Sequence, residues 1–170
     1  MSVNALVTCG ILLCFMASGT QAATQGDIGY SSKAAIELSL TIHPLVKVSG
    51  VQDIALNATH GESIAGSTPV CVGGTYAGTY SIEAQGSGSG NDFLLSSGDT
   101  TLPYAVEYSD AGGPVDLQPS SSSDNRPLAP SIECTEGTNA LLTVAIDGAQ
   151  SGGVPPGVYN GTLTLMVRPQ

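Results

Sequence analysis

Tryptophan is absent, phenylalanine occurs twice, and only four residues are Lys or Arg against fourteen Asp or Glu. Each shortage removes a class of function. A chain with a formal charge of −10 has no basic face to neutralise phosphates, so it predicts neither a nucleic-acid partner nor an anionic membrane surface. Few aromatics and no tryptophan leave little material for the stacking platforms that sugar sites favour. The two histidines, His43 and His60, stand far apart, outside any H-E-x-x-H pattern, and read as a strand-end residue and a loop residue. No G-x-S-x-G elbow, phosphate-binding loop or dinucleotide fingerprint follows a strand. The glycine-rich QGSGSGN stretch is a turn with no helix after it. Neither catalysis nor a cofactor or metal is expected.

One hydrophobic run exists, Leu6–Ser18, and it is too short for a membrane span. With Thr20-Gln21-Ala22 supplying small residues at the cleavage positions, residues 1–22 read as a signal peptide, although Met1–Ala5 carries no basic residue. The exported chain keeps all fourteen acidic and all four basic residues and is not expected to insert in a membrane. Cys9 and Cys14 fall inside the leader, which leaves Cys71 and Cys134. An even pair in an oxidising compartment predicts one disulfide, two free buried thiols being the alternative. Closing so long a loop is worth roughly 4 kcal/mol on the chain-entropy view.

What is there is short alternation punctuated by 22 Gly and 10 Pro. Ala34–Ile42 (AAIELSLTI) is the cleanest case: Ile36, Leu38, Leu40 and Ile42 alternate with Glu37, Ser39 and Thr41, the pattern of a strand with one buried face. Pro44 then ends it. Ala23–Lys33 before it reads as a polar, flexible head. Short strands are predicted at Leu45–Val48 and Val51–Leu56, a loop at Asn57–Pro69, and a long strand through Tyr76, Tyr80, Ile82 and Ala84. Phe93–Leu95 is a short apolar piece, and Leu102, Tyr104, Val106 and Tyr108 alternate, with Pro103 marking a sheet edge. Asp110–Pro114 reads as a turn and Gln118–Pro130 as a low-complexity loop. Leu142, Val144 and Ile146 mark another strand. Tyr159, Gly161, Leu163, Leu165 and Val167 share a face of the last one.

The acidic residues read as solubilising surface charge, with Asp110 and Asp116 dispensable members of a turn that lacks calcium-loop spacing. Asn57 and Asn160 open glycosylation sequons, which matter only in a eukaryotic secretory pathway. No window holds a sustained helical pattern. The expected fold is all-β, an immunoglobulin-like sandwich.

Three stretches, IELSLTIHPLVKVSG, LLSSGDTTLPYAVEYSD and PPGVYNGTLTLMV, resemble subunits of chaperone–usher pili. The second and third are similar to the spore coat protein U and Csu-type archaic pilin family. The first resembles the N-terminus of colonisation-factor fimbrial subunits. Two departures stand out: no cysteine closely follows the N-terminal strand, and His43 occupies the place of an acidic residue.

The resemblance implies a sandwich that is incomplete and completed by a donated strand. Residues 23–44 would be an N-terminal extension with the donor strand, and 45–170 the pilin domain. Ile36, Leu38, Leu40 and Ile42 would insert into a neighbouring subunit, while Tyr159, Leu163, Leu165 and Val167 would form the acceptor groove and C-terminal strand. The partners implied are neighbouring pilus subunits, in a homo- or hetero-polymer, a periplasmic chaperone and an outer-membrane usher. The location implied is the periplasm in transit, then the cell-surface pilus, where the fibre supports adhesion or biofilm formation. The alternative is a self-contained secreted β-sandwich that binds carbohydrate or a surface partner.

Overall fold

The computed structural model describes residues 23–134 and 137–170. The expected signal peptide, with Cys9 and Cys14, lies outside them. The chain divides at Ile42 into a short N-terminal unit and a larger unit, His43–Gln170.

Among the described residues the larger unit holds ten strands: β1 Val46–Ser49, β2 Ile64–Gly74, β3 Gly78–Gly86, β4 Leu94–Ser97, β5 Thr100–Pro103, β6 Ala105–Asp110, β7 Gly113–Leu117, β8 Ser122–Leu128, β9 Ala140–Ile146 and β10 Leu163–Pro169, with a 3-10 turn at Ser89–Asn91 and one α-helical turn, α1, at Gly148–Ser151. Five form a sheet in the order β1-β2-β9-β6-β7, three form a second in the order β10-β3-β8, and β4 and β5 make a hairpin. All the strand pairings are antiparallel. The fold is the β-sandwich that the alternation predicts. Val106 and Tyr108 from β6, Leu142, Val144 and Ile146 from β9, and Tyr80, Ile82 and Ala84 from β3 turn their alternate side chains into one core.

Three expectations are corrected by the strands. β2 begins at Ile64, inside the stretch expected to be a loop. Val51–Leu56 forms no strand, although Ile54 and Leu56 turn inward with a period of two. The expected loop Gln118–Pro130 contains β8. That strand was hidden because its alternation is broken: Asn125 sits at φ 58, and the pairing with β3 shifts between Tyr80 and Ile82. The extra residue of a bulge changes phase, and here it re-aims Arg126 and Leu128 into the interior.

Arg126 corrects a fourth expectation, that Asp110 is surface charge. The Asp110 side chain is only 4% exposed and is ion-paired to Arg126. It accepts hydrogen bonds from Arg126 Nε at 3.1 Å, from the Gly112 backbone N–H at 2.7 Å, and from the Tyr80 hydroxyl at 2.7 Å. Tyr80 has one proton and gives it to Asp110, so Tyr108, whose hydroxyl is 2.6 Å away, must donate to Tyr80. The guanidinium also lies 5.7 Å from the Tyr108 ring centre. These four side chains tie β3 and β8 of one sheet to β6 of the other. Among the described residues no buried side-chain nitrogen or oxygen lacks a partner.

Cys71 in β2 is joined to Cys134 at a sequence separation of 63, with 6.0 Å between the Cα atoms. Beside this bridge Asn139 stands in for a strand, accepting from Val72 N–H at 2.9 Å and donating to Val72 C=O at 2.7 Å. Together they fasten the crossing from β8 to β9 onto β2.

Two outcomes are expected. Asp110→Ala leaves the Arg126 charge buried without a partner, which costs about 3–5 kcal/mol in chemical denaturation; Asp116→Ala, on an exposed position, should cost little. Burial pushes the Tyr80 phenol up and raises that of Tyr108 to about 12. A phenol held protonated in the fold contributes stability that is fully present below its unfolded value of about 10 and lost as the pH rises above it. Melting temperature should therefore fall above pH ~10, and Tyr108→Phe should flatten that fall.

Candidate acceptor groove

The two sheets are unequal, and the inequality makes the site. At a strand spacing of about 4.8 Å, five strands span roughly 19 Å and three roughly 10 Å. The β4–β5 hairpin covers part of the difference. The rest opens at the edge where β1 and β10 terminate their sheets.

β10 pairs along its whole length with β3, from Leu163 opposite Gly86 to Pro169 opposite Tyr80. Among the described residues no strand hydrogen-bonds to its other edge. Leu163, Leu165 and Val167 turn inward while Thr164, Met166 and Arg168 face out. Arg168 reaches Glu83 at 3.0 Å, and hydrogen bonds from Gln85 and Arg168 hold the Glu83 carboxyl below its ordinary value.

Beside β10 runs a groove of about 780 Å³. Leu142, Val144 and Ile146 of β9 form its floor, with Leu102 and Tyr104 beside them. Leu163 and Leu165 stand on one bank and Ile54 and Leu56 on the other. The segment before β10 encloses one end: Tyr159 donates to Pro155 C=O at 2.8 Å, and the backbones of Asn160 and Ser96 bond reciprocally at 2.8 and 3.0 Å. Such a site is a trough with an apolar floor and mixed walls, bordered by an unpaired strand edge. It is suited to main-chain pairing with an extended segment whose alternate side chains are apolar.

Of the acceptor residues expected from the sequence, Tyr159, Leu163 and Leu165 line this groove, whereas Val167 packs against the core beyond it. The second bank was missed as a site. Its signal was present, since Ile54 and Leu56 alternate, but nothing in the sequence showed that their neighbour would be Gly66. A Cβ there would meet Leu56 Cδ2 at 2.5 Å and Ile54 Cγ2 at 2.9 Å.

The expected donor residues lie in the N-terminal unit. Ile36, Leu38, Leu40 and Ile42 are 75%, 90%, 84% and 82% exposed. Residues 36–42 form no strand in this structure. Just ahead of them Thr24 and Ala35 pair, each accepting the other's N–H at 3.0 Å.

No known protein family matches the sequence, and no curated protein matches it. Among solved structures, it is similar to a chain of the complex described as "Chaperone-tip adhesin complex is vital for synergistic activation of CFA/I fimbriae biogenesis", with a TM-score of 0.57 at 19% identity over 74% of this chain and 41% of that one. The likeness is one of fold. The matched region spans less than half of that chain. Among the described residues no helix is long and apolar enough to cross a membrane, and no group of three or more His, Cys, Asp or Glu is placed to hold a metal ion.

The groove bank can be tested alone. Gly66→Val should push Ile54 and Leu56 off β2 and destabilise the sandwich by about 1–3 kcal/mol in chemical denaturation.

Proposed function

We propose that the chain is a structural subunit of a bacterial surface pilus that polymerises by donor-strand complementation, and that the fibre supports adhesion or biofilm formation. The observation that carries this reading is the unpaired edge of β10 beside a groove floored by Leu142, Val144 and Ile146 of β9. The same chain carries a matching unpaired segment, with four apolar side chains on alternate positions. Burying each Leu or Ile is worth about 1.5–3 kcal/mol, and strand addition also pairs the free backbone groups of β10. A donor on one copy and an acceptor on the next make a head-to-tail contact that does not close, so the product is a fibre.

An open trough of this kind needs a temporary occupant before assembly, which supports a periplasmic chaperone as the first partner; an outer-membrane usher would be the exit. The mature subunit would pass through the periplasm and end in the extracellular pilus. This function asks for no catalysis, cofactor or metal.

The test is to move the donor. A chain lacking residues 23–42 should accept a strand but donate none, and so cap fibres. Placing residues 34–42 after Gln170 on a flexible linker should give a monomer far more stable than the deleted form, because the tethered strand is present at high effective concentration. Leu38→Arg should abolish polymerisation in light scattering by sending a charge into the apolar trough. An intact chain that is a stable monomer without any chaperone, and unfolds on the deletion, would show instead that the segment belongs to its own fold.

A further inference from the structure

Resting on that reading, a further question is what sets the register of the inserted strand. Alternation forbids a slip of one residue, because every side chain would change face. It does not forbid a slip of two, which returns apolar residues to the trough. Four leucines and isoleucines of similar size make neighbouring registers nearly equal in burial. Something besides the pattern must choose.

The N-terminal unit carries a device that fits. Thr24 and Ala35 exchange two backbone hydrogen bonds of 3.0 Å, which close the chain between them into a loop. The loop is tight at its base: a Cβ on Gly26 would lie 2.1 Å from Ser32 Oγ and 2.8 Å from Lys33 C=O. Beyond Ala35 the chain is unpaired as far as Ile42. Two residues later Pro44 has no N–H to give to a ladder, and it disfavours helical backbone at His43. The free run is therefore 36–42, stopped by a folded loop on one side and a proline on the other. The accepting edge is bounded in the same way. β10 is 7 residues long, begins just after the pinned Asn160–Ser96 pair, and ends at Pro169. At about 3.3 Å per residue, the donor run and the acceptor edge are each roughly 23 Å long.

We propose that the Thr24–Ala35 loop and Pro44 bracket residues 36–42 and so fix a single register when this run enters the groove of a second copy of the chain. A slip of two residues in one direction drives the closed loop against the end of the groove. A slip in the other brings Pro44 into the ladder.

Cysteine cross-linking between full-length chains reads the register directly. One population carries Ser39→Cys, an outward position of the donor run, and the other carries Thr164→Cys, Met166→Cys or Arg168→Cys, the outward positions of β10. Directly opposed Cβ atoms lie about 4.5–5.5 Å apart and diagonal ones about 7–8 Å, so mild oxidation favours the opposed pair. One of the three positions should cross-link and the other two should stay at background. Opening the loop, by Gly26→Val or by deleting residues 24–33, should spread the cross-link to a position two residues away, with the melting temperature of the sandwich unchanged. A single position that neither variant disturbs would overturn the role of the loop. Cross-links at all three positions in the parent would overturn the single register while leaving strand donation intact. No cross-link at any position, with no fibre formed, would overturn both.

Discussion

The unpaired edge of β10 is the constraint on which the rest of the structure depends. Its inner face is apolar, its outer edge offers free backbone groups, and the trough beside it runs along the β9 side of the core. An edge of that kind is unstable in isolation and invites pairing. The remainder of the sandwich compensates by being fastened elsewhere. The Asp110–Arg126 pair, with Tyr80 and Tyr108, ties the two sheets through β6, β3 and β8, away from the groove. The disulfide and Asn139 secure the crossing from β8 to β9. Stability concentrated away from the trough lets one edge stand open without the domain coming apart.

On this account folding and assembly cannot be separated. Whatever fills the trough stabilises the subunit by mass action, first in the form of a temporary partner and then as the neighbouring subunit's strand. Subunit stability is then greater in the fibre than in the single chain. On this account the excess of acidic residues would keep such subunits soluble until a partner arrives.

Much of this was legible in the residues. Strands with plain alternation, such as β9 at Leu142, Val144 and Ile146 and β10 at Leu163, Leu165 and Val167, appear where the period of two places them. The single cysteine pair of the larger unit is bridged. What was hidden depended on partners distant in sequence. β8 carries a bulge at Asn125 that breaks its period, and its composition resembles a linker. Asp110 looked like a turn carboxylate because its counter-ion, Arg126, comes from a strand that could not be seen. Val51–Leu56 has the alternation of a strand but no ladder partner in the isolated chain. Residues 36–42 show the same pattern and likewise remain unpaired. A sequence records that a segment is able to pair, and the fold decides with what.

The central claim is that the free edge of β10 takes an added strand. Amide hydrogen exchange tests it most directly: the chain lacking residues 23–42 is compared alone and with a synthetic peptide of residues 34–42. The account predicts that the Leu165 and Val167 amides, which point away from β3, exchange readily without peptide and become protected with it, and that a peptide carrying Leu38→Arg gives no protection. Protection of β10 that is already complete in the peptide-free chain, or that is unchanged by the peptide, would contradict it.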